Sequence, residues 1–254
     1  MVKHIFLLIS IFIFLNSCNN NWEQITEKKQ PISHEIWDGL LKKHVQKDGF
    51  VNYKGFQSDT QVLDEYLNIL SASHPQKSWS KAEQMAYWIN AYNAFTVKLI
   101  IDNYPVESIK DIKKGIPFVN SVWDIKFINI QGIEYDLNNI EHSILREYYN
   151  DARIHAAINC ASFSCPLLRN EAFVAQKLEA QLEDATHKFI NDPLRNNITS
   201  ERAEISKIFL WFGGDFKKDK GSIRNFLKQY SDVKITDETK INHMDYDWSL
   251  NDSK

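Results

Sequence analysis

SKAEQMAYWINAYNAFTVKLIIDN, residues 80–103, is the stretch on which the reading of the fold turns. Ser80 followed three residues later by Glu83 has capping-box spacing, which marks a helix start. Tyr104-Pro105 marks its end, because the residue before a proline is pushed out of the helical region. At about 100° per residue, Gln84, Lys98 and Asp102 share one narrow stripe, while Met85, Trp88, Ile89, Tyr92, Phe95, Leu99 and Ile100 cover most of the rest. Such a helix is buried nearly all round. Asn90 and Asn93 then fall among Ala86, Val97, Ile100 and Ile101, where an unpartnered amide costs about 1–3 kcal/mol, so both are expected to be hydrogen-bonded inside.

Before this helix, the apolar spacing of Ile36, Leu40, Leu41 and Val45 predicts a helix over 33–46 with Ser33 as its cap. Residues 49–53 read as a short extended piece, and Val62 to Leu70 as a second helix stopping before Pro75. After it, Val122 to Ile130 is strand-like, turned by Gln131-Gly132 into Ile133-Glu134-Tyr135. Asn138 with Glu141 repeats the capping spacing and opens a helix to about Tyr149; Arg153 to Asn159 reads as a buried strand. Val174 to Phe189 has the pattern of a long amphipathic helix capped by Asn170, and Ser222 to Tyr230 of a shorter one. Helices outnumber strands and the strands cluster mid-chain. The expected class is therefore α+β, a helix-rich single domain around a small mid-chain β-sheet.

The chain starts with the parts of an export signal: Lys3 and His4, then an apolar run from Ile5 to Leu15 that is too short to span a bilayer. Leu15-Asn16-Ser17-Cys18 resembles a lipobox, so residues 1–17 are expected to be a lipoprotein signal peptide and Cys18 the lipid-bearing residue. An ordinary cleaved signal with an incidental Cys18 is the alternative. Acyl chains on Cys18, each buried methylene contributing about 0.8 kcal/mol, would make the membrane a partner and place the protein at an envelope surface. Residues 18–31 are a polar tether and 32–254 a single globular domain. A net charge of −3 with interspersed signs argues against nucleic acid, and Lys113-Lys114 and Lys217-Lys218 read as solvated surface. With 13% aromatic residues and only 8 glycines, the domain is expected to be well packed. The envelope substrate or protein partner is left open.

Reactive side chains concentrate in Glu141-His142 and in His155 through Pro166. A thiol becomes nucleophilic beside a helix N-terminus or an imidazole. Cys165, before Pro166, has the first feature if a helix opens there, and Cys160 sits where the strand would end. A strand would point His155 away from Cys160 and toward the face of Asn159. A Cys-His pair then needs a bend at Asn159 or Cys160, or needs His142 to arrive with Glu141 or Asn159 orienting it. Asn90, Asn93, Cys165, Ser162 and Ser164 are the expected lining. Equally open is a structural role, with Cys160 and Cys165 joined in a disulfide contributing about 2 kcal/mol, or both inert. A zinc site from His142, His155, Cys160 and Cys165 has the right ligand types but wide Cys-x4-Cys spacing. No cofactor and no metal is expected, and no P-loop, dinucleotide fingerprint or nucleophile-elbow serine occurs.

Trp88-Ile89-Asn90-Ala91-Tyr92-Asn93, Ile140-Glu141-His142 with Leu145-Arg146, Arg153-Ile154-His155, Asn159-Cys160-Ala161-Ser162, Ser164-Cys165-Pro166, Phe209-Leu210-Trp211-Phe212 with Asp215-Phe216, and Tyr246 to Asn251 together resemble the domain of unknown function 547 family, found in bacterial lipoproteins. The resemblance implies relatives and carries over no catalytic assignment. A papain-like or transglutaminase-like arrangement is a looser analogy, since the nucleophile there normally precedes its histidine. Here only His187, His243 or a permuted order would restore that sequence of events. Two readings follow: a cysteine-dependent hydrolase or acyl transferase with Cys160 as nucleophile and His155 or His142 as base, or a non-enzymatic binding or assembly domain.

Overall fold

The computed structural model describes residues 30–112 and 121–253. The signal peptide, Cys18, the tether through residue 29 and the Lys113-Lys114 pair lie outside the described residues. Helices α1 (Glu35–His44), α2 (Tyr53–Ser58) and α3 (Thr60–Ser71) come first, followed by α4 (Lys81–Asn103). In α4 both halves of the capping box form: the Ser80 N–H donates to Glu83 Oε2 at 2.6 Å and the Glu83 N–H to Ser80 Oγ at 3.2 Å. Every residue from Met85 to Val97 is buried, so α4 is the axis of the larger core. Ser33 accepts from the Glu35 N–H, but the residue flanking α1 is His34, whose side chain does not cap it.

Strands β1 (Ile128–Ile130) and β2 (Ile133–Tyr135) pair antiparallel across Gln131-Gly132, whose φ values of 50° and 82° are those of a two-residue hairpin turn. The predicted strand is shorter than expected because Val122–Asp124 coils into a 3-10 turn, with Asp124 accepting from both Ser121 N–H and Ser121 Oγ. A π-helix, Asn139–Arg146, runs on into α5 (Glu147–Tyr149). Its start is closed reciprocally by Asp136 and Asn139, at 2.6 and 3.2 Å, instead of by Asn138 and Glu141. Glu141 is turned into the interior and cannot reach back to cap.

The expected strand over 153–159 is instead a helical turn, α6 (Ile154–Ala157). Asp151 starts it by accepting the Arg153 N–H at 3.0 Å, and the Ile158 N–H closes it on the Ile154 carbonyl at 3.1 Å. A short apolar run fits a buried strand or a buried helical turn equally well, and here the aspartate cap decided. Helix α7 (Leu178–Asn191) begins well after Asn170. Residues 172–174 are held extended by Asn90, which accepts from Phe173 N–H and donates to its carbonyl, and by Gln181, which does the same for Val174 and Ala172.

A second sheet follows that no spacing had indicated. In it β4 (Arg202–Ile205) lies between antiparallel β3 (Asn197–Ile198) and parallel β5 (Lys240–His243). Between β4 and β5 come α8 (Ile208–Trp211), α9 (Gly213–Lys220) and α10 (Ile223–Tyr230), the last capped by Ser222. The α+β, helix-rich class holds, with two small open sheets in place of one. Phe189, Phe209, Phe216 and Phe226 centre a second core, and each such ring contributes about 2–3 kcal/mol by burial. No described helix is long and apolar enough to cross a membrane.

The Asn90 clamp carries a measurable load. Asn90→Ala leaves the buried Phe173 N–H and carbonyl unpaired and is expected to lower unfolding free energy by about 2–4 kcal/mol. Urea denaturation reads this directly, and an unchanged midpoint would show that the clamp is dispensable.

Candidate active site

Past α6 the chain turns sharply through Asn159-Cys160-Ala161-Ser162. Asn93 holds the entry, donating to the Ala157 carbonyl at 3.0 Å and accepting the Asn159 N–H at 2.8 Å. The Asn159 side chain holds the exit: its Oδ1 accepts the Ala161 N–H at 2.8 Å and its Nδ2 donates to the Pro166 carbonyl at 2.7 Å. Ala161 is fully buried with φ of 60°, a left-handed conformation that costs a Cβ-bearing residue about 1–2 kcal/mol. The bend removes the strand's facing rule, and His155 and Cys160 come to line one pocket.

Both cysteines are free thiols, with their sulfurs 3.0 Å apart. Cys160 Sγ also lies 3.3 Å from Ser162 Oγ and 3.4 Å from Tyr246 Oη, while its own N–H donates to Cys165 Sγ at 3.0 Å. The hydrogen bond from Cys165 is the largest influence on the Cys160 thiol and, with those from Ser162 and Tyr246, outweighs burial to bring it down to about 7. Burial pushes the Cys165 thiol well up. Of the two sulfurs Cys160 is therefore the first to ionise, with the proton kept on Cys165. Cys165 opens no helix, since the residues after it are irregular until Ala175, so it gains nothing from a helix N-terminus.

The pocket, about 210 Å³, lies at the seam of the two cores. Asn138, Glu141, His142, His155, Cys160 and Cys165 contribute to its polar surface and Trp123, Trp211, Phe212, Tyr246 and Trp248 to its walls. Burial, then the charge of Cys160, raises the Glu141 carboxyl to about 7, against the Tyr92 hydroxyl that donates to it at 3.3 Å. His155 Nε2 donates to Asp215 Oδ2 at 2.7 Å, and its ring stacks on Phe212 with centroids 4.1 Å apart. Burial lowers His155, so the neutral ring has its proton on Nε2 and Nδ1 is left as the basic nitrogen. Asp215 also takes Arg146 in a fork, at 2.6 and 3.1 Å, and its bonds to His155 and Arg146 hold it well below the carboxylate range despite burial. His142 is exposed at the rim, accepting from Arg146 through Nδ1 at 2.9 Å.

Among the described residues, no hydrogen bond joins His142 or His155 to either sulfur. Glu141 contacts Tyr92 and Asn159 contacts backbone and Asn251, so neither orients a histidine; Asp215 does. Asn90 and Asn93 lie behind the site and act on backbone, whereas Ser162 touches Cys160 and donates to Tyr246 at 3.0 Å. Ser164 accepts the Asp247 N–H at 2.9 Å and so ties in the C-terminal tail. That tail runs antiparallel to residues 161–164 and delivers Tyr246 and Trp248. Sequence reading passed over Asp215, Arg146, Tyr92, Tyr246 and the tryptophans as site residues. Tyr92, Arg146, Asp215 and Tyr246 do stand in the motifs that carry the family resemblance, but those motifs say nothing of their partners. Among the described residues no group of three or more His, Cys, Asp or Glu is placed to hold a metal ion.

The architecture defines a helix-rich α+β domain with a thiol-bearing, aromatic-walled pocket. Residues 76–190 match the family model described as "Protein of unknown function, DUF547". The match includes Glu141, His142, His155, Cys160 and Cys165 and stops before Asp215 and Tyr246. No curated protein and no solved structure gives a match.

Glu141 is protonated more readily folded than unfolded. Its contribution to stability is therefore full below about 4.5 and is lost as pH rises through about 7. Glu141→Gln, which cannot ionise, is expected to gain on the wild type by on the order of 3 kcal/mol between about pH 4.5 and pH 8. Paired denaturation curves at the two pH values measure it, and a pH-independent difference would mean that Glu141 titrates normally.

Proposed function

We propose that the protein is a lipid-anchored cell-envelope enzyme that uses Cys160 as the nucleophile of acyl transfer, to water or to a second acceptor. One observation carries the reading: Cys160 Sγ lines an aromatic-walled pocket and has three hydrogen-bonding partners, Cys165, Ser162 and Tyr246, that favour its thiolate. The thiolate adds to the acyl carbon, and collapse of the adduct expels the leaving group as it takes a proton from Glu141. Water or an amine then attacks the thioester, giving its proton to His155 Nδ1, the Cys160 thiolate departs, and release of that proton from His155 with reprotonation of Glu141 from solvent restores the site. Asp215 fixes the imidazole in the tautomer that this step needs. A cavity of about 210 Å³ suits one short acyl group or a single side chain better than a whole large ligand. Because both histidines precede the cysteine in the chain, kinship with papain-like or transglutaminase-like sites is an analogy of residue types only.

The test is acylation by p-nitrophenyl acetate. The wild type is expected to form a hydroxylamine-sensitive adduct on Cys160 and to turn over; Cys160→Ala forms none. His155→Ala should slow turnover by about 100-fold or more, and Glu141→Gln should do so with an alkyl ester, whose leaving group needs the proton, more than with p-nitrophenyl acetate. Alkylation of Cys160 by iodoacetamide should rise with a midpoint near 7 instead of near the ordinary thiol value of 9.0. A folded protein giving neither adduct nor early alkylation would instead be a binding or assembly domain.

The same proposal places lipid on Cys18, with residues 18–31 as the spacer between membrane and domain. On detergent phase separation, the exported wild type should enter the detergent phase and Cys18→Ala the aqueous phase. Wild type recovered in the aqueous phase would favour an ordinary cleaved signal.

A further inference from the structure

The mechanism above uses Cys165 only as a hydrogen-bond donor, which leaves unexplained why a second sulfur stands on the pocket wall. A serine or threonine hydroxyl would donate as well. The two sulfurs are 3.0 Å apart, about 1 Å more than a disulfide bond length. The segment between them is already a closed turn: the Cys165 N–H bonds the Ser162 carbonyl at 3.1 Å, and the Cys160 N–H bonds Cys165 Sγ. Asn159 and the C-terminal tail pin this turn from both sides, so bond formation asks for a small sulfur displacement and no rearrangement of the chain. Only Cys160 is partly exposed; Cys165 is buried behind it. This is the layout of an attacking thiol with a resolving partner.

We propose that Cys160 and Cys165 are a reversible oxidation site, converted by a small hydroperoxide into an intramolecular disulfide that silences the pocket. The inference rests on Cys160 being the pocket nucleophile. In the first step the Cys160 thiolate attacks the outer peroxide oxygen. The O–O bond breaks, the departing alkoxide or hydroxide takes up a proton from the site, and Cys160 becomes a sulfenic acid. In the second step Cys165 sulfur attacks Cys160 sulfur, the S–O bond breaks, and the hydroxyl leaves as water with the Cys165 proton. Two thiols lose two electrons in all, and the peroxide gains them, giving one alcohol or water and one further water. A dithiol reductant reverses the disulfide by thiol–disulfide exchange. Sulfenic acid without a resolving thiol would go on to sulfinic and sulfonic acids, which are not recovered this way.

Full-length protein, reduced and then treated with hydrogen peroxide near equimolar, provides the test. Peptide mapping should find Cys160 linked to Cys165. Iodoacetamide labelling of Cys160 and turnover of p-nitrophenyl acetate should fall at least tenfold, and both should return with dithiothreitol. In Cys165→Ala the same treatment should yield no disulfide but a sulfenic acid that dimedone traps, and excess peroxide should carry it on to a loss that dithiothreitol does not restore. Should that variant fail to fold, the wild-type peptide map decides alone. Reduced wild type that alkylates early at Cys160 but forms no disulfide under peroxide overturns the oxidation site and leaves the nucleophile standing. If reduced Cys160 resists alkylation, the nucleophile assignment falls and this inference with it.

Discussion

Asn93, on a helix that is buried all round, grips the backbone on both sides of Ile158, and the geometry of the pocket descends from that grip. Where α6 ends, the chain must present backbone groups to a buried core, and the Asn93 amide satisfies one donor and one acceptor at once. Asn159 repeats the device one step further on, turning the chain so tightly that Ala161 is driven to positive φ. Cys160 lies between these two constraints. Its sulfur is directed by backbone that has no alternative partner, which is a more rigid mounting than a surface loop would supply.

Electrostatics around that sulfur divide into two compartments. On one side the Cys165 thiol and the Ser162 and Tyr246 hydroxyls hydrogen-bond the Cys160 sulfur and favour its negative charge, and the Arg195 guanidinium bonds the Cys165 carbonyl at 2.6 Å. Glu141 faces the same charge and responds by holding its proton to higher pH. On the other side Asp215 balances Arg146 and orients His155, so a full ion pair and an imidazole are kept together a few residues from the thiol. Phe212 separates and orders this group, packing under both the His155 ring and the Arg146 guanidinium.

The C-terminal tail completes the walls. Its pairing with residues 161–164 sets Tyr246 over Cys160 and lets Trp248 pack against Tyr246, Trp211 and Trp123, with ring centroids between 4.5 and 5.7 Å. Asn251, buried, receives the Tyr53 hydroxyl at 2.7 Å and donates to Asn159 at 3.3 Å, linking the tail to both α2 and the cysteine turn. Loss of the tail would therefore open the pocket and weaken the turn together.

Local signals were enough wherever a residue's partners lie within a few positions of it. The α4 start, the hairpin at Gln131-Gly132, the helix ending at Tyr230 and the concentration of reactive groups in 141–142 and 155–166 could all be read from spacing, because capping, turn sterics and helical periodicity act over one or two turns. The same periodicity misjudged residues 153–159, since an apolar run of that length is compatible with either a strand or a helical turn until its cap is known. That Asn90 and Asn93 need buried partners was legible, but which backbone they hold was not. Asp215 meets His155 and Arg146 across 60 and 69 positions, and Tyr246 reaches Cys160 across 86. Those contacts carry no periodicity and arise only when two separately packed cores close on one another, so they belong to the folded chain alone.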